Sequence, residues 1–309
     1  MSDQCSFYFF IKLIYIYLFF FLLKKSHKKN LIFDINYKTI KVCICTVGKL
    51  ENNYIKEFVE HYQKYNVDKI FLYDNNEIND EDFFEVLSDY IKNKYVEIIN
   101  YRGKRKEQYK MYQECYENNY KNYDWLIYYD IDEFIHLKNY TNIKFFLGQK
   151  QFAHCQSIYL NWVLHTDNEL LFYDNRTLKE RFPKIKNKKK FCLGKTIIRG
   201  NISRIKINSC HLLDRKIERC DGFGKSFKPD RIYCKNPDFD NFYIDHYKYK
   251  STEEYINKLN RGDCLYGYNN ANKKRKIMSY FKFNKINNKK INFIKNMTNI
   301  DISELLTIN

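Results

Sequence analysis

The stretch that decides the fold is Asp124-Trp125-Leu126-Ile127-Tyr128-Tyr129-Asp130-Ile131-Asp132-Glu133-Phe134. Aromatic and branched side chains fill its first half, and an apolar run this short reads as a strand rather than a helix. It ends in carboxylates at alternate positions. Side chains alternate across a strand, so an extended backbone would turn Asp130 and Asp132 to one face, roughly 6 to 7 Å apart. Such hard oxygen donors suit Mg²⁺ or Mn²⁺, which fill their remaining positions with water and substrate phosphate. D-x-D is a short motif, and an ordinary acidic turn after a buried strand is the competing reading.

Upstream of that stretch, strands and helices alternate. Thr39 to Val47 reads as a buried strand. Tyr54 to Tyr65 reads as a helix with Ile55, Phe58, Val59 and Tyr62 on one stripe. Lys69 to Tyr73 is a second strand, ending at Asp74-Asn75-Asn76. Glu81 to Ile91 (helix), Val96 to Asn100 (strand) and Lys106 to Tyr120 (helix) repeat the alternation, and the acidic-tipped stretch is the fourth strand. The expected class is therefore α/β, with a Rossmann-like, mostly parallel sheet between helices and right-handed crossovers. Ligands of such sheets gather beyond the carboxyl ends of the strands, which brings Thr46, Asp74, Arg102 and Asp130 to Glu133 toward one crevice. The chain has only 9 Gly and no glycine-rich phosphate loop, which argues against P-loop and dinucleotide-fingerprint enzymes.

The net charge of +17 favours anionic partners. Much of it sits in runs, Lys24 to Lys29, Lys184 to Lys190 and Lys273 to Lys276, which read first as solvated faces. No zinc-finger spacing or RNP-like segment accompanies them, so no nucleic-acid partner is expected. The 10 cysteines form no CxxC pair, which argues against a structural zinc site. Cys43 and Cys45 should share one strand face as small core residues. Disulfides among Cys155, Cys192, Cys210, Cys220 and Cys234 stay open. Phe7 to Leu23 is apolar enough to be expected as a single-pass membrane anchor, with the side of the membrane undecided. The expected organisation is an anchor and basic linker (1–38), one α/β domain in two halves (39–135 and 136–262) and a helical tail (263–309).

Five blocks in order, spanning about Lys41 to Asp263, resemble glycosyltransferases of the GT-A fold, in the family 2-like and family 92-like (DUF23-related) group. They are Lys49 to Phe58, Val67 to Asn75, Trp125 to Phe134, Leu160-Asn161-Trp162, and Asp245 to Tyr255 continuing through Lys258-Leu259-Asn260-Arg261-Gly262. The resemblance implies an enzyme that moves a sugar from a UDP- or GDP-sugar to a glycan, lipid or protein hydroxyl, with inversion and with Mn²⁺ or Mg²⁺, residues 39–135 forming its nucleotide-sugar-binding half and 136–262 its acceptor-binding half. It implies Asp132 as direct metal ligand, Asp130 on ribose or on the metal through water, and His246 closing the metal or diphosphate site. Glu51 is equated with an acidic residue of the first block, although Leu50 interrupts that block's Lys-Asn-Glu pattern. Asn66 stands where the family has Gly, at a position Asn can occupy.

The remaining roles follow from position. Asp74 and Arg102 are expected on the donor, with Thr46 beside them. Asp167, after the tryptophan block, is the favoured catalytic base over Asp214 and Asp221, and His211 is a further candidate for the same cleft. Ser251 and Glu254 make an S-x-x-E capping box that opens a helix over Thr252 to Asn260. Two other classes compete: a metal-dependent phosphodiesterase or nuclease built on Asp130, Asp132 and Glu133, and a non-catalytic binding protein on the same scaffold.

Overall fold

Buried branched and aromatic residues at period two build the first half of the sheet. Strands β1 (Val42–Gly48), β2 (Lys69–Asp74), β3 (Val96–Asn100) and β4 (Trp125–Ile127) lie in the order β3-β2-β1-β4, all parallel. The computed structural model describes residues 37–186, 193–209, 211, 213–214, 216–228, 237–262, 270–300 and 302. Alternation along β1 divides the core. Val42 and Ile44 pack with Ile55, Phe58, Val59 and Tyr62 of α1 (Asn52–Lys64) on one face. Cys43, Cys45 and Val47 pack with Met111, Tyr112 and Tyr116 of α3 (Gln108–Asn119) on the other. Cys45 goes further than the packing role expected of it and is disulfide-bonded to Cys115 of α3. Helix α2 (Phe83–Lys92), capped by the Asp82 carboxylate on Phe84 N, completes the expected series. Asn66 takes the left-handed conformation, φ 63°, in the turn before β2.

The second half of the sheet is mixed. Strands β5 (Glu133–Leu137), β6 (Ser157–Leu164), β7 (Gly194–Arg199) and β10 (Phe242–His246) extend it in the order β4-β7-β6-β10-β5. β7 runs antiparallel to both β4 and β6, and β10 is parallel to β6 but antiparallel to β5. Two short strands, β8 (Arg219–Cys220) and β9 (Ser226–Phe227), hang from β6. Gly194 is required where β7 meets β6, because a Cβ there would stand 1.9 Å from the Leu160 carbonyl oxygen.

Helices α4 (Ile143–Leu147) and α5 (Leu178–Arg181) are short, and α6 (Thr252–Arg261) opens with the expected Ser251–Glu254 capping box. Helices α7 (Asn270–Phe283) and α8 (Asn288–Thr298) place Ile277, Tyr280, Ile291 and Ile294 in the main core. The tail helices therefore join the main core, with Tyr280 stacked on Tyr255 of α6, and Tyr37–Asn309 forms one unit.

The single-pass membrane anchor is corrected: among the described residues no helix is long and apolar enough to cross a membrane. The segment Phe7 to Leu23, on which that expectation rested, lies outside the described residues, as do Cys192, Cys210 and Cys234.

Candidate active site

The acidic tip is a turn, not the continued strand that alternation implied. β4 stops at Ile127, and Asp130 to Glu133 closes a tight turn in which Glu133 N donates to Asp130 O at 3.0 Å. Asp130 N donates in return to Glu133 Oε2 at 3.0 Å. Between the aspartates, Ile131 drops into the core over Gly48, where a Cβ would meet Phe83 at 2.5 Å and Ile131 at 3.0 Å. With Ile131 as its peg, the turn sends Asp130 and Asp132 into one cavity of about 270 Å³. β10 delivers His246 to the same place, since Glu133 at the start of β5 pairs in register with His246 at the end of β10.

Each carboxylate in this cavity faces a cation. Asp132 Oδ2 takes Lys258 Nζ at 2.7 Å, and its Oδ1 lies 3.4 Å from His246 Nε2. Burial opposes ionisation of Asp132, but Lys258 and His246 outweigh it and hold the carboxyl well below its usual range. Burial drives His246 the other way, to about 4 despite Asp132, so its imidazole is neutral. Asp130 pairs with the buried Lys195 at 2.9 Å and accepts from Tyr112 OH at 3.2 Å. Glu51 is bound by Arg261 and, at 3.3 Å, by Lys250. Burial raises the Glu51 pKa less than Arg261 and Lys250 lower it, so it too is held ionised. Burial pushes the Glu133 carboxyl well above its usual range. No carboxylate among the described residues pairs with Lys248, which lines the cavity with its ammonium 5.5 Å from the Tyr249 ring. Trp162 forms an apolar wall, its ring 4.3 Å from His246 and 5.2 Å from His211.

A divalent cation fits one corner of the cavity. Ligand atoms of Asp132, Glu133 and His246 lie within 4.8 Å of one another. Glu133 Oε1 and His246 Nδ1 are buried without a hydrogen-bond partner. Two carboxylates and a neutral imidazole form a donor set that suits Mn²⁺ or Mg²⁺, with open positions for phosphate oxygen.

Four expected residues do not line this cavity. Asp74 and Arg102 pair with each other at 2.8 Å, and the guanidinium also donates to the carbonyls of Ile78, Asp80 and Glu81, so the pair clamps the loop after β2. Thr46 is buried inside β1, and Val47 reaches the cavity instead. Asp167, the expected base, is 1% exposed, with Tyr280 OH and Lys290 on its Oδ2 and Glu169 N on its Oδ1. Its carboxylate holds α7 and α8 on the sheet. Conversely, Lys248, Lys258 and Arg261 had no assigned role, although all three stand in the His246 block, Lys248 just after the strand and the other two on α6.

The chain matches the family model for glycosyltransferase family 92 over residues 38–294. It belongs to glycosyltransferase family 92. A family 92 protein from Ricinus communis is 27% identical to it over 107 residues, 35% of this chain, which spans only 19% of that protein's length. Among solved structures, this family 92 chain overlaps a Pyrobaculum calidifontis mannosyltransferase in complex with GDP-Man and Mn²⁺, at 7% identity and TM-score 0.32, covering 46% of this chain and 42% of that one. It also overlaps S. aureus TarS 1–349 in complex with UDP-GlcNAc, at 11% identity and TM-score 0.36, covering 86% and 85%. Likeness at these scores carries no inference about chemistry.

Proposed function

We propose that this chain is a metal-dependent glycosyltransferase that moves a sugar from a UDP- or GDP-sugar onto a hydroxyl of a glycan, lipid or protein, with inversion at the anomeric carbon. The observation that carries the reading is the convergence of Asp130, Asp132 and His246 on a cavity whose other wall holds Lys248, Lys258 and Arg261. Neither half suffices alone. The acidic corner suits a cation, and the basic wall suits the diphosphate that the cation would share.

Asp132 Oδ1, His246 and Glu133 would hold Mn²⁺ or Mg²⁺, which when bound neutralises charge developing on the departing diphosphate. Lys258 keeps the second oxygen of Asp132 and so fixes the rotamer that presents the first. Lys248 and Arg261 meet phosphate oxygens, and Trp162 keeps water from the reacting carbon. As the acceptor oxygen bonds to that carbon, the bond to phosphate breaks, the electron pair leaves with the diphosphate, and the hydroxyl proton needs a base.

His211 is the base this geometry favours over Asp167. Its Nδ1 stands 3.0 Å from the Gly194 carbonyl oxygen, which only accepts, so Nδ1 carries the hydrogen and Nε2 keeps its lone pair. Burial, with Lys195 adding to it, lowers its pKa and keeps the ring neutral. The cavity carboxylates are engaged by cations. A two-metal phosphodiesterase would need a second acidic cluster. The other metal-ligating group found among the described residues is His154, Cys155 and Cys220, which offers no carboxylate.

Thermal unfolding with UDP and GDP, each with and without Mn²⁺, tests donor binding. At a hundredfold excess over Kd, a bound nucleotide adds about 2.7 kcal/mol of stability, and the gain should require the metal. An equal gain without Mn²⁺, or no gain with either nucleotide, contradicts the reading.

A further inference from the structure

The second cluster lies outside the candidate active site, at the sheet edge where β8 hangs from β6. Cys155 and Cys220 are disulfide-bonded there, with the exposed imidazole of His154 over the bond. His154 Nε2 lies 3.7 Å from Cys155 Sγ and 3.5 Å from Cys220 Sγ. Tetrahedral zinc with Zn–S of about 2.3 Å and Zn–N of about 2.0 to 2.1 Å sets nitrogen and sulfur about 3.6 Å apart. A neutral imidazole and two thiolates form a soft donor set, suited to Zn²⁺ and distinct from the oxygen-rich corner at Asp132.

We propose that His154, Cys155 and Cys220 form a zinc site that is closed by the disulfide and opened by its reduction. The site survives reduction because the backbone holds both cysteines in place without the S–S bond. Ser157 N donates to Glu218 O at 2.9 Å, and β6 and β8 pair Ser157 with Arg219 and Ile158 with Cys220. The chain before β6 is held by Arg199, which donates to the carbonyls of Cys155 at 2.8 Å and Phe152 at 2.6 Å. The fourth corner faces solvent beside Ser226, whose hydroxyl lies 3.3 Å from His154 Nε2 and donates to Glu218 Oε1 at 2.8 Å. Water takes that corner and hydrogen-bonds to Glu218. Cys220 lies 65 residues beyond Cys155, so no short spacing motif marks the site.

The chemistry balances with a dithiol as reductant. The dithiol gives two electrons and two protons to the S–S bond and leaves as a cyclic disulfide, while Cys155 and Cys220 become thiols. Zn²⁺ then displaces both thiol protons to solvent and binds the two thiolates with neutral His154. Bound zinc in turn protects the thiols from reoxidation.

The test compares the oxidised full-length protein with protein reduced by dithiothreitol and desalted without oxygen. Zn²⁺ is measured by titration, and Co²⁺ serves as a probe whose thiolate charge-transfer and tetrahedral d–d bands report sulfur ligation. Reduction should add one bound Zn²⁺ per chain and bring up the Co²⁺ bands. Cys155→Ser combined with Cys220→Ser should lose both, with the other cysteines left as controls. His154→Ala, a surface change that leaves the disulfide intact, should weaken the Co²⁺ bands and raise the Zn²⁺ dissociation constant at least tenfold. Equal zinc uptake before and after reduction overturns the proposal, as does undiminished uptake in the double variant. If the double variant fails to fold, unaltered binding by folded His154→Ala overturns it equally.

Discussion

His211 is the residue on which the proposed proton transfer depends. Replacing it with Ala removes a cavity imidazole whose tautomer is fixed by the Gly194 carbonyl and whose Nε2 keeps its lone pair. General-base catalysis contributes typically 10² to 10⁴ in rate, so kcat of His211→Ala should fall by roughly that factor while KM for the donor stays near the parent value. Steady-state kinetics on both substrates check this, and an unchanged kcat would place the base elsewhere. Asp130, Asp132 and His246 stand in blocks with recognisable neighbours, and all three reach one cavity. Asp167 is held by partners, Tyr280 and Lys290, that come 113 and 123 residues later. A carboxylate's availability depends on such distant cations, and local pattern does not encode them. Asp74 and Arg102, 28 residues apart, saturate each other in the same way.

Helix α6 carries Lys258 and Arg261 to the cavity, and Glu254 holds the helix in place. Its carboxylate closes the capping box, accepts Tyr54 OH of α1 at 2.6 Å, and pairs with the buried Arg181 at 2.7 Å. Glu254→Ala leaves Arg181 buried without a counter-charge, a change that costs about 3 to 5 kcal/mol. The urea midpoint should drop accordingly with the slope unchanged, and a loss below 1 kcal/mol would mean that Arg181 finds solvent. The capping box was legible because it is a local pattern, as were α1, β2 and β3 from their periodicity. The turn at Asp130 was not. Period two continues through Asp130 and Asp132 as written, and only the pairing of β5 with β10 forces the backbone to turn. The antiparallel insertion of β7 between β4 and β6 is likewise set by contacts across the sheet, and in its own residues only the small Gly194 hints at the close approach to β6.

For the molecule as a whole, acid should be destabilising through His61. This residue of α1 lies against the Ile135 carbonyl oxygen at 3.1 Å, and burial lowers its pKa to about 4. Above pH 6.5, the usual histidine value, both folded and unfolded chains hold it neutral. Between that value and about 4, the unfolded chain takes a proton that the folded state refuses. Stability therefore falls with pH, by up to about 1.4 kcal/mol per unit from this one group. His61→Gln should show a shallower decline between pH 6.5 and 4 in denaturant titrations, and an identical slope would contradict the assignment. The α/β class and the parallel first half were legible because βαβ units are local and their handedness is nearly fixed. The family model then spans both halves of the sheet and reaches into α8, which accounts for tail residues lying in the same core as β1.

The central claim is that Asp132 helps hold the cation on which sugar transfer depends. Asp132→Asn keeps the size of the side chain and a partner for Lys258 but removes the charge. With Mn²⁺ and a panel of labelled UDP- and GDP-sugars, the parent protein should transfer sugar to an acceptor, and the variant should lose at least roughly 100-fold of that rate, in the range seen when one electrostatic contact to a transition state is removed. The variant should also unfold within a few degrees of the parent. A folded Asp132→Asn protein that still turns over at the parent rate would contradict the account.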